Sequence, residues 1–448
     1  MKLVSFAPIE YNQSYVMTKK LSTEAYKGTR DFYPEDMAIQ RYIFDTWAKT
    51  AESFGYERYD ASILEPSELY KSKGAENEEM VNEQTYTFTD RGDREVTLRP
   101  EMTPTVARMV AGKRRDLTFP VRWYSIPNLF RYERPQRGRL REHWQLNCDM
   151  FGVDDVSADV EMIALAYNVL KAFGAKDSDF EIRINNRKTY SEVLLFLAKK
   201  YDTDLTEIQI REIIRLADRI HKMQPDDFSE KLTQIVGKNI ASEITKFVHN
   251  QGTEEVLNDT ESKKNLLSVL AGLDEMKIKN VALDATLARG FDYYTGTIFE
   301  IFDKSPDNNR SLLGGGRYDN LTSLFEGDPI SGIGFGMGDV TMRDFLETHN
   351  LLEGKVPATA PTIIIIPNDA TQNIEAQKVA QEFRDAGIKI TVDISDRKAD
   401  KKKATAEKTG AKYILTFTDN AGVFTLRALR SKDADISGTV TELIKHIS

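Results

Sequence analysis

Cysteine is nearly absent from this sequence, in which Cys148 is the only one among 448 residues. A lone cysteine excludes an intramolecular disulfide, and it excludes zinc held by a CxxC pair. The five histidines are scattered along the chain without metal-ligand spacing. We therefore predict that the protein provides no metal site of its own.

Long hydrophobic runs are also missing. The longest purely aliphatic run, Ile363–Ile366, is far shorter than the roughly 20 residues that cross a bilayer. Residues 1–9 contain one lysine before Glu10 and no apolar core long enough for secretion. These absences predict a cytoplasmic protein without a membrane segment.

Positive charge is not in excess either. The chain has 61 Lys and Arg against 70 Asp and Glu, a net charge of −9. This balance argues against a protein that coats nucleic acid non-specifically, although a local basic patch can still bind RNA. The length predicts two or three domains.

Sequence periodicity divides the chain. Residues 36–54 show helical spacing of apolar side chains, 85–151 alternate as in an antiparallel sheet, and 187–275 are helix-like and poor in glycine. Strand and helix patterns alternate after a Pro- and Ala-rich linker, which predicts a small α/β domain. The predicted boundaries are a leader at 1–25, a first domain at 26–186 and 276–352, a helical insertion at 187–275, a linker at 353–361 and a last domain at 362–448.

A basic stretch lies in that last domain, at residues 397–408. A solvated helix face explains such a stretch, and so does a contact with RNA. The sequence leaves both interpretations open.

Two segments carry polar groups on alternate positions, as on one face of a strand. In residues 97–103, Glu101 shares a face with Thr103, which we predict to cap the following helix. In residues 143–151, Gln145 and Asp149 share a face. Such groups could bind a small polar ligand, including an α-amino group. Alternatively, they hydrogen-bond one another within the fold.

Between these segments the arginines are unusually dense. The planar guanidinium fork suits phosphate oxygens, so we favour phosphate binding over a solvated loop. The arginines are Arg131, Arg134, Arg137, Arg139 and Arg141.

Two further segments suggest flat ligands. Arg289 lies in a predicted turn before Tyr293 and Tyr294. The hydroxyls of these tyrosines, together with Glu101, could hydrogen-bond both nitrogens of an imidazole. Alternatively, the two tyrosines simply belong to the core. Glycines with a period of two leave one strand face bare, either for adenine or for tight packing. They are Gly332, Gly334, Gly336 and Gly338.

Together these segments resemble the histidyl-tRNA synthetase family of class II aminoacyl-tRNA synthetases. KGTRDFYPEDM resembles motif 1, FRYERPQRGRLREHWQLNCDMFG resembles motif 2, and the glycine-rich strand resembles motif 3. LARGFDYYTGTIFE and GGGRYD are similar to two blocks specific to the histidine enzymes. The H-x-G-H signature of the other synthetase class is absent, as is a P-loop.

The resemblance implies an α+β catalytic domain on an antiparallel sheet, the class II synthetase fold, with a helical insertion and a C-terminal α/β anticodon-binding domain. It implies formation of histidyl-adenylate from ATP and L-histidine with Mg2+ present, and then transfer to tRNA(His) by a homodimer.

The resemblance also implies residue roles. The catalytic arginines are Arg289 and Arg131, which also contact histidine. The other histidine-binding residues are Glu101, Met102, Thr103, Gln145, Asp149, Tyr293 and Tyr294. The ATP-binding residues are Arg131, Glu133, Arg139, His143, Gly336 and Gly338, and the tRNA-binding residues are Gln136 and Arg137.

Three positions depart from the family pattern. Val340 and Thr341 stand where motif 3 usually carries a Glu-Arg pair, and Arg343 lies roughly 200° further around a helix. His143 replaces an aromatic residue expected to stack on adenine, and Asp149 stands where many bacterial members carry Glu.

Two alternative functions remain open. One is a catalytically silent regulatory subunit of ATP phosphoribosyltransferase in histidine biosynthesis, although such proteins lack the C-terminal module. The other is a class II synthetase for proline, glycine or threonine, against which the sequence RGFDYY argues.

Overall fold

The computed structural model describes residues 21–71, 84–218, 220, 223, 225–248, 260–287, 293–308, 310–431 and 434–447. The chain divides into two compact units. The first contains the described residues up to Phe32 and then Ile43–Glu353, and the second contains Tyr33–Tyr42 and the residues from Gly354 onward.

The first unit is built from short strands and longer helices. Its strands are β1 Glu57–Arg58, β2 Leu64–Pro66, β3 Tyr86–Thr89, β4 Glu95–Leu98, β5 Val121–Ser125, β6 Asn128–Phe130, β7 Glu142–Phe151, β8 Phe180–Asn186, β9 Val281–Leu283, β10 Thr297–Asp303, β11 Ser311–Arg317 and β12 Gly332–Gly338. Its helices are α2 Glu68–Lys71, α3 Thr103–Lys113, α4 Ser157–Ala172, α5 Lys188–Lys200, α6 Glu207–Asp218, α7 Pro225–Val248, α8 Glu261–Glu275 and α9 Asp339–Thr348, together with part of α1 Pro34–Ser53.

A large sheet organises this unit. Its strand order is β1-β5-β7-β12-β11-β10-β8-β9, and β6 pairs with β7 beside this path. The pairs β1/β5 and β8/β9 are parallel, whereas the pairs between them are antiparallel. The predicted antiparallel sheet is therefore confirmed, with a parallel pair at each end. A smaller antiparallel sheet has the order β2-β4-β3.

Helix α4 covers the centre of the large sheet. It packs against β7 and β12, and it buries Met162, Ile163 and Leu165 completely. Below the sheet the buried Arg317 pairs with Asp159 on α4. A fixed helix beneath β7 and β12 keeps these two strands rigid, which is what a site built on them requires.

The helices α5, α6 and α7 form a core of their own within the first unit. Phe228, Leu232 and Ile244 of α7 pack with Leu194 and Leu197 of α5. Most of their stability comes from burying these apolar faces against one another, because isolated helices of this length are marginal in water. The helix-like sequence of this region thus forms helices.

The second unit has a mixed sheet with helices. Its strands are β13 Ile363–Ile366, β14 Ile390–Val392, β15 Tyr413–Phe417, β16 Phe424–Ala428 and β17 Ile436–Gly438, and its helices are α10 Asn373–Asp385, α11 Ala399–Thr409 and α12 Val440–Ile447. The strand order is β14-β13-β15-β16-β17, parallel around β13 and antiparallel beyond β15. Because helices cover β13, its isoleucines are all buried.

One local prediction was wrong. Residues 97–103 do not form one strand, because β4 ends at Leu98 and α3 begins at Thr103. Pro100 has no N–H to donate to a neighbouring strand, so the pairing stops before it. Met102, and not Thr103, is the N-cap residue of α3.

None of the helices in the described ranges has the length and apolar content that crossing a membrane requires.

Candidate active site

The pairing of β7 with β12 brings the polar strand and the glycine-rich strand together. Gly334 lies opposite Asp149, and Gly338 lies opposite Gln145. A Cβ added to Gly336 would lie 2.7 Å from Gln145 Cδ, and one added to Gly334 would lie 2.5 Å from Asp149 Oδ1. These two glycines therefore make room for the polar side chains of β7.

The outer glycines of β12 differ from each other. A Cβ added to Gly332 would lie 2.6 Å from a ring carbon of Tyr318, so this glycine also accommodates a side chain of the protein. A Cβ added to Gly338 would meet only Thr341 Oγ1, at 3.6 Å. Among these glycines, Gly338 is the least crowded.

Asp149 is a buried carboxylate that is only half satisfied. Its Oδ1 accepts a hydrogen bond from the Tyr318 hydroxyl, whereas its Oδ2 has no hydrogen-bond partner among the described residues. Burial raises the pKa of the Asp149 carboxyl to about 7, and the Tyr318 hydrogen bond opposes that rise. A buried carboxylate with one unused oxygen is well suited to accept from an ammonium group.

Glu101 and Tyr293 meet beside Asp149. Glu101 is 3% exposed, and its Oε2 accepts a hydrogen bond from the Tyr293 hydroxyl at 3.2 Å. The Tyr293 ring packs edge-on against Tyr318, with ring centroids 5.9 Å apart. Glu101, Tyr293, Tyr318 and Asp149 thus form one continuous line of side chains, here called the polar row.

The neighbouring Tyr294 is more deeply packed than Tyr293. It is 7% exposed and belongs to the core beside Ile298. A Cβ added to Gly316 would lie 2.7 Å from its ring, so the tyrosine lies directly on β11. Tyr293 and Tyr294 have ring centroids 4.8 Å apart, and each helps to fix the other in place.

Arg131 lies beside Glu101 of this row, and its charge reaches His143. Arg131 Nε donates to Pro100 O at 2.8 Å, which holds the arginine beside Glu101. Burial first, and then the charges of Arg131 and Arg30, lower the pKa of His143 to about 3. The His143 imidazole is therefore neutral at physiological pH.

Residues 131–141, here called the arginine loop, connect β6 to β7, and their arginines have different surroundings. Arg141 is buried, lies 3.9 Å from the centre of the Tyr132 ring and donates to the Tyr26 hydroxyl, so it stabilises the loop itself. Arg139 Nε lies 3.1 Å from Glu133 Oε2.

The remaining predicted residues lie at the edges of the site. Arg137 and Gln136 are exposed in the arginine loop, and Arg137 donates to Asn308 Oδ1 at 3.1 Å. Met102 is fully buried and Thr103 is partly buried at the start of α3. Arg289 lies outside the described residues.

Sequence reasoning missed two groups that shape the site. Tyr318 lies in the GGGRYD block, for which the sequence predicted no site residue, yet its hydroxyl holds Asp149. Asp339, the first residue of α9, pairs with Arg30 at 2.7 Å and accepts from the backbone N–H of Trp144 at 2.9 Å. The sequence signal for Asp339 was its position immediately after the last glycine of β12.

The chain matches two family models. The model of histidyl-tRNA synthetase matches residues 28–339, and that of the anticodon binding domain matches residues 362–448. The histidine–tRNA ligase of Leptospira biflexa serovar Patoc is 45% identical over 405 residues, which cover 89% of this chain and 90% of that relative. The histidine–tRNA ligase of Thermoplasma volcanium is 35% identical over 408 residues, which cover 88% and 91%.

The fold agrees with these matches. The crystal structure of histidyl-tRNA synthetase from Nostoc sp. PCC 7120 covers 96% of this chain and 100% of its own, with a TM-score of 0.76 and 22% identity. The predicted class II catalytic fold with a C-terminal anticodon-binding domain is thereby confirmed. On the strength of its family model and its curated relatives, this chain belongs to the histidyl-tRNA synthetase family.

Proposed function

We propose that this protein attaches L-histidine to tRNA(His). In the first step the histidine carboxylate attacks the α-phosphorus of ATP, which gives histidyl-adenylate and pyrophosphate. In the second step the histidyl group passes to the 3′-terminal adenosine of the tRNA. Synthetases of this family use ATP as a substrate. The observation that carries the proposal is the polar row, whose two ends suit the two ends of histidine.

Glu101 and Tyr293 suit the imidazole ring. A carboxylate accepts from one ring N–H, while a tyrosine hydroxyl hydrogen-bonds the other ring nitrogen. Both groups are fixed, since Glu101 is buried and Tyr293 donates to it at 3.2 Å. A side chain without two ring nitrogens would make fewer of these hydrogen bonds and would bind more weakly. We assign Tyr294 and Met102 to the walls around the ring.

Asp149 suits the α-ammonium group of histidine. Its Oδ2 has no described partner, so it can accept from the ammonium without breaking a bond within the protein. We assign Gln145 and Thr103 to the same end of the substrate, because an amide oxygen and a hydroxyl also accept from an ammonium group.

Arginines would bind the reacting phosphates. We assign Arg131 to the α-phosphate and the histidine carboxylate, and Arg139 to the distal phosphates. Arg289 is assigned to the α-phosphate by resemblance alone. Fixed positive charges act mainly where negative charge develops in the transition state, so Arg289 and Arg131 are the proposed catalytic residues.

Adenine would lie between the arginine loop and β12. We assign Glu133 to its polar edge and His143 to its face, since a neutral imidazole can stack on a base without desolvating a charge. Gly336 and Gly338 are assigned to the same nucleotide. Of these two, Gly338 is the less crowded, which supports the assignment.

Magnesium would enter the site with the nucleotide. Within the described ranges, no group of three or more His, Cys, Asp or Glu side chains could hold a metal ion. We therefore propose that Mg2+ is bound by the phosphates of ATP, as part of the substrate.

The tRNA would be bound at two places. Gln136 and Arg137 are exposed in the arginine loop, which supports a contact with the acceptor end. We assign the anticodon to the last domain, and we retain the predicted boundaries of the domains as a proposal. Charging of tRNA serves translation, so we propose that the protein works in the cytoplasm.

A homodimer is supported by the sheet β2-β4-β3. Its register pairs Leu64 with Leu98 and Phe88 with Val96, so these four residues share one face. Leu64 and Phe88 are 45% and 48% exposed. An exposed apolar face of this kind is typical of an interface with another chain.

ATP–pyrophosphate exchange tests the proposal. We expect exchange that requires histidine and does not require tRNA. The regulatory-subunit alternative predicts no exchange with any standard amino acid, and a synthetase for proline, glycine or threonine predicts exchange with that amino acid instead. The match to an anticodon-binding domain favours the enzyme, because such regulatory proteins lack that module.

A further inference from the structure

Arg310 reaches the arginine loop from outside it. This residue precedes β11, and its side chain lies against Gly138. A Cβ added to Gly138 would lie 2.9 Å from Arg310 Cδ and 3.5 Å from Arg310 Nε. Gly138 has a φ of +73°, a conformation that glycine adopts without strain. The loop therefore turns at the one residue type that leaves room for the arginine.

The charges around this contact are unbalanced. Burial first, and then the charge of Arg139, lower the pKa of Arg310, while Glu133 opposes that shift. Glu133 is already paired with Arg139 at 3.1 Å. Among the described residues, Arg310 has no hydrogen-bond or ion-pair partner. Two guanidinium groups thus share one carboxylate, and the remaining positive charge suits an anion with several oxygens.

Thr341 lies on the same side of Gly138. Its Cγ2 would be 3.4 Å from the added Cβ, and its hydroxyl donates to Leu312 O at 3.3 Å. Near Gly138, helix α9 therefore contributes a threonine side chain and not a positively charged one. The nearby Arg343 is engaged with Glu347 at 2.8 Å. The second positive charge beside Arg139 comes from Arg310.

We propose that Arg310, together with Arg139, binds the distal phosphates of ATP and the pyrophosphate that leaves. This inference rests on the proposed function. As the histidine carboxylate oxygen bonds to the α-phosphorus, the bond from that phosphorus to the bridging oxygen breaks. The electron pair leaves with pyrophosphate, and no proton is transferred. Arg310 and Arg139 stabilise the negative charge that the leaving group gains.

Binding of AMP, ATP and pyrophosphate to the full-length protein tests this role by calorimetry. Arg310→Met keeps the apolar stem that packs on Gly138 and removes the guanidinium. We expect the affinities for ATP and pyrophosphate to fall by about 10- to 100-fold, as for a lost charged hydrogen bond. The affinity for AMP, which lacks distal phosphates, should stay within about twofold. Arg310→Gln is measured alongside, so that the result does not depend on the folding of one variant.

Arg343→Met is the matched control, because Arg343 is a nearby arginine that already has a carboxylate partner. We expect it to bind all three ligands as the unmodified protein does. Unchanged pyrophosphate binding in both Arg310 variants would overturn the proposal, and so would an equal loss of AMP and ATP, which would mean that Arg310 only supports the loop. Pyrophosphate binding needs no turnover, whereas failure of the proposed function would appear as missing histidine-dependent exchange in the unmodified protein.

Discussion

Replacing Asp149 with asparagine should stabilise the ligand-free protein above neutral pH and weaken histidine binding at the same time. Burial raises the pKa of the Asp149 carboxyl from 3.8 to about 7, and no described cation is among the causes. Burial also raises the pKa of Tyr318 and of Cys148 well above their usual values, so these neighbours are neutral. The charge on Asp149 is therefore unfavourable until a ligand arrives.

The size of the effect follows from linkage between protonation and folding. A pKa raised by about three units corresponds to about 4 kcal/mol. Because the pKa in the folded protein is above its unfolded value, this stability is fully present below about pH 4 and is lost as the pH rises through about 7. Asparagine carries no charge, but its amide N–H groups would lack acceptors, which costs about 1–3 kcal/mol.

The loss of charge outweighs the unsatisfied amide at high pH. We expect Asp149→Asn to be more stable than the unmodified protein by about 1–3 kcal/mol near pH 8, and about equally stable near pH 5. Urea unfolding of both proteins across this range measures the difference. Asp339→Asn is the control, because Asp339 is also buried but pairs with Arg30 at 2.7 Å. Burial raises the pKa of Asp339 too, but the charge of Arg30 opposes that rise, so its replacement should stabilise the protein near pH 8 less than Asp149→Asn does.

Calorimetry completes the test of Asp149. Asp149→Asn should bind histidine about 10- to 100-fold more weakly, as for a lost charged hydrogen bond, and should bind ATP normally. If the stability difference between the two proteins were the same at every pH, the inference of a buried charge would be refuted. An equal loss of both ligands would show that Asp149 supports the fold and not the ammonium group.

Two other changes test β12 and the last domain. Gly336→Ala would place a Cβ 2.7 Å from Gln145 Cδ. The KM for histidine in exchange should therefore rise, and the free energy of unfolding should fall by about 1–3 kcal/mol. Gly112→Ala is the control and should be harmless, because no atom lies within 4 Å of its added Cβ. Lys401→Ala with Lys408→Ala removes two exposed charges one heptad apart on α11, so tRNA binding should weaken and depend less on salt while histidine-dependent exchange is unchanged. Equal exchange and charging losses would contradict this second prediction.

Local sequence patterns identified the strands of the site but not their neighbours. Alternation within β7 predicted that Gln145 and Asp149 share a face, because side chains of a strand alternate whatever it pairs with. The partner strand β12 lies almost two hundred residues later, and no local pattern specifies the pairing of Gly334 with Asp149. The sequence therefore left the bare face of β12 to adenine or to tight packing, and in the structure Gly334 and Gly336 make room for side chains of the protein.

Residue type alone also overestimated the number of arginines that are available to bind phosphate. Five arginines in the arginine loop looked equivalent in sequence. In the structure Arg141 is buried against Tyr132, while Arg139 shares Glu133 with a residue outside the loop. Arg310 was not found from the sequence because it lies far along the chain from Gly138 and outside the GGGRYD block.

Residue type does not separate the members of the basic stretch of the last domain either. Lys402 is 5% exposed and donates to Asp393 O at 3.0 Å, so this lysine stabilises the domain. Lys401 and Lys408 are exposed and remain candidates for a contact with RNA. A run of like charges on a helix does not reveal which members face solvent, because that depends on how the helix packs.

The charges left unbalanced at the two ends of the site are complementary to the two proposed substrates. Asp149 offers one carboxylate oxygen that has no partner in the described part of the chain, and Arg139 with Arg310 offers a surplus of positive charge. An ammonium group and a polyphosphate would each relieve one of these imbalances, so each substrate should bind the folded protein in preference to the unfolded chain. Such binding raises stability by mass action. Histidine and ATP should therefore each raise the unfolding temperature, and only the effect of histidine should depend on Asp149.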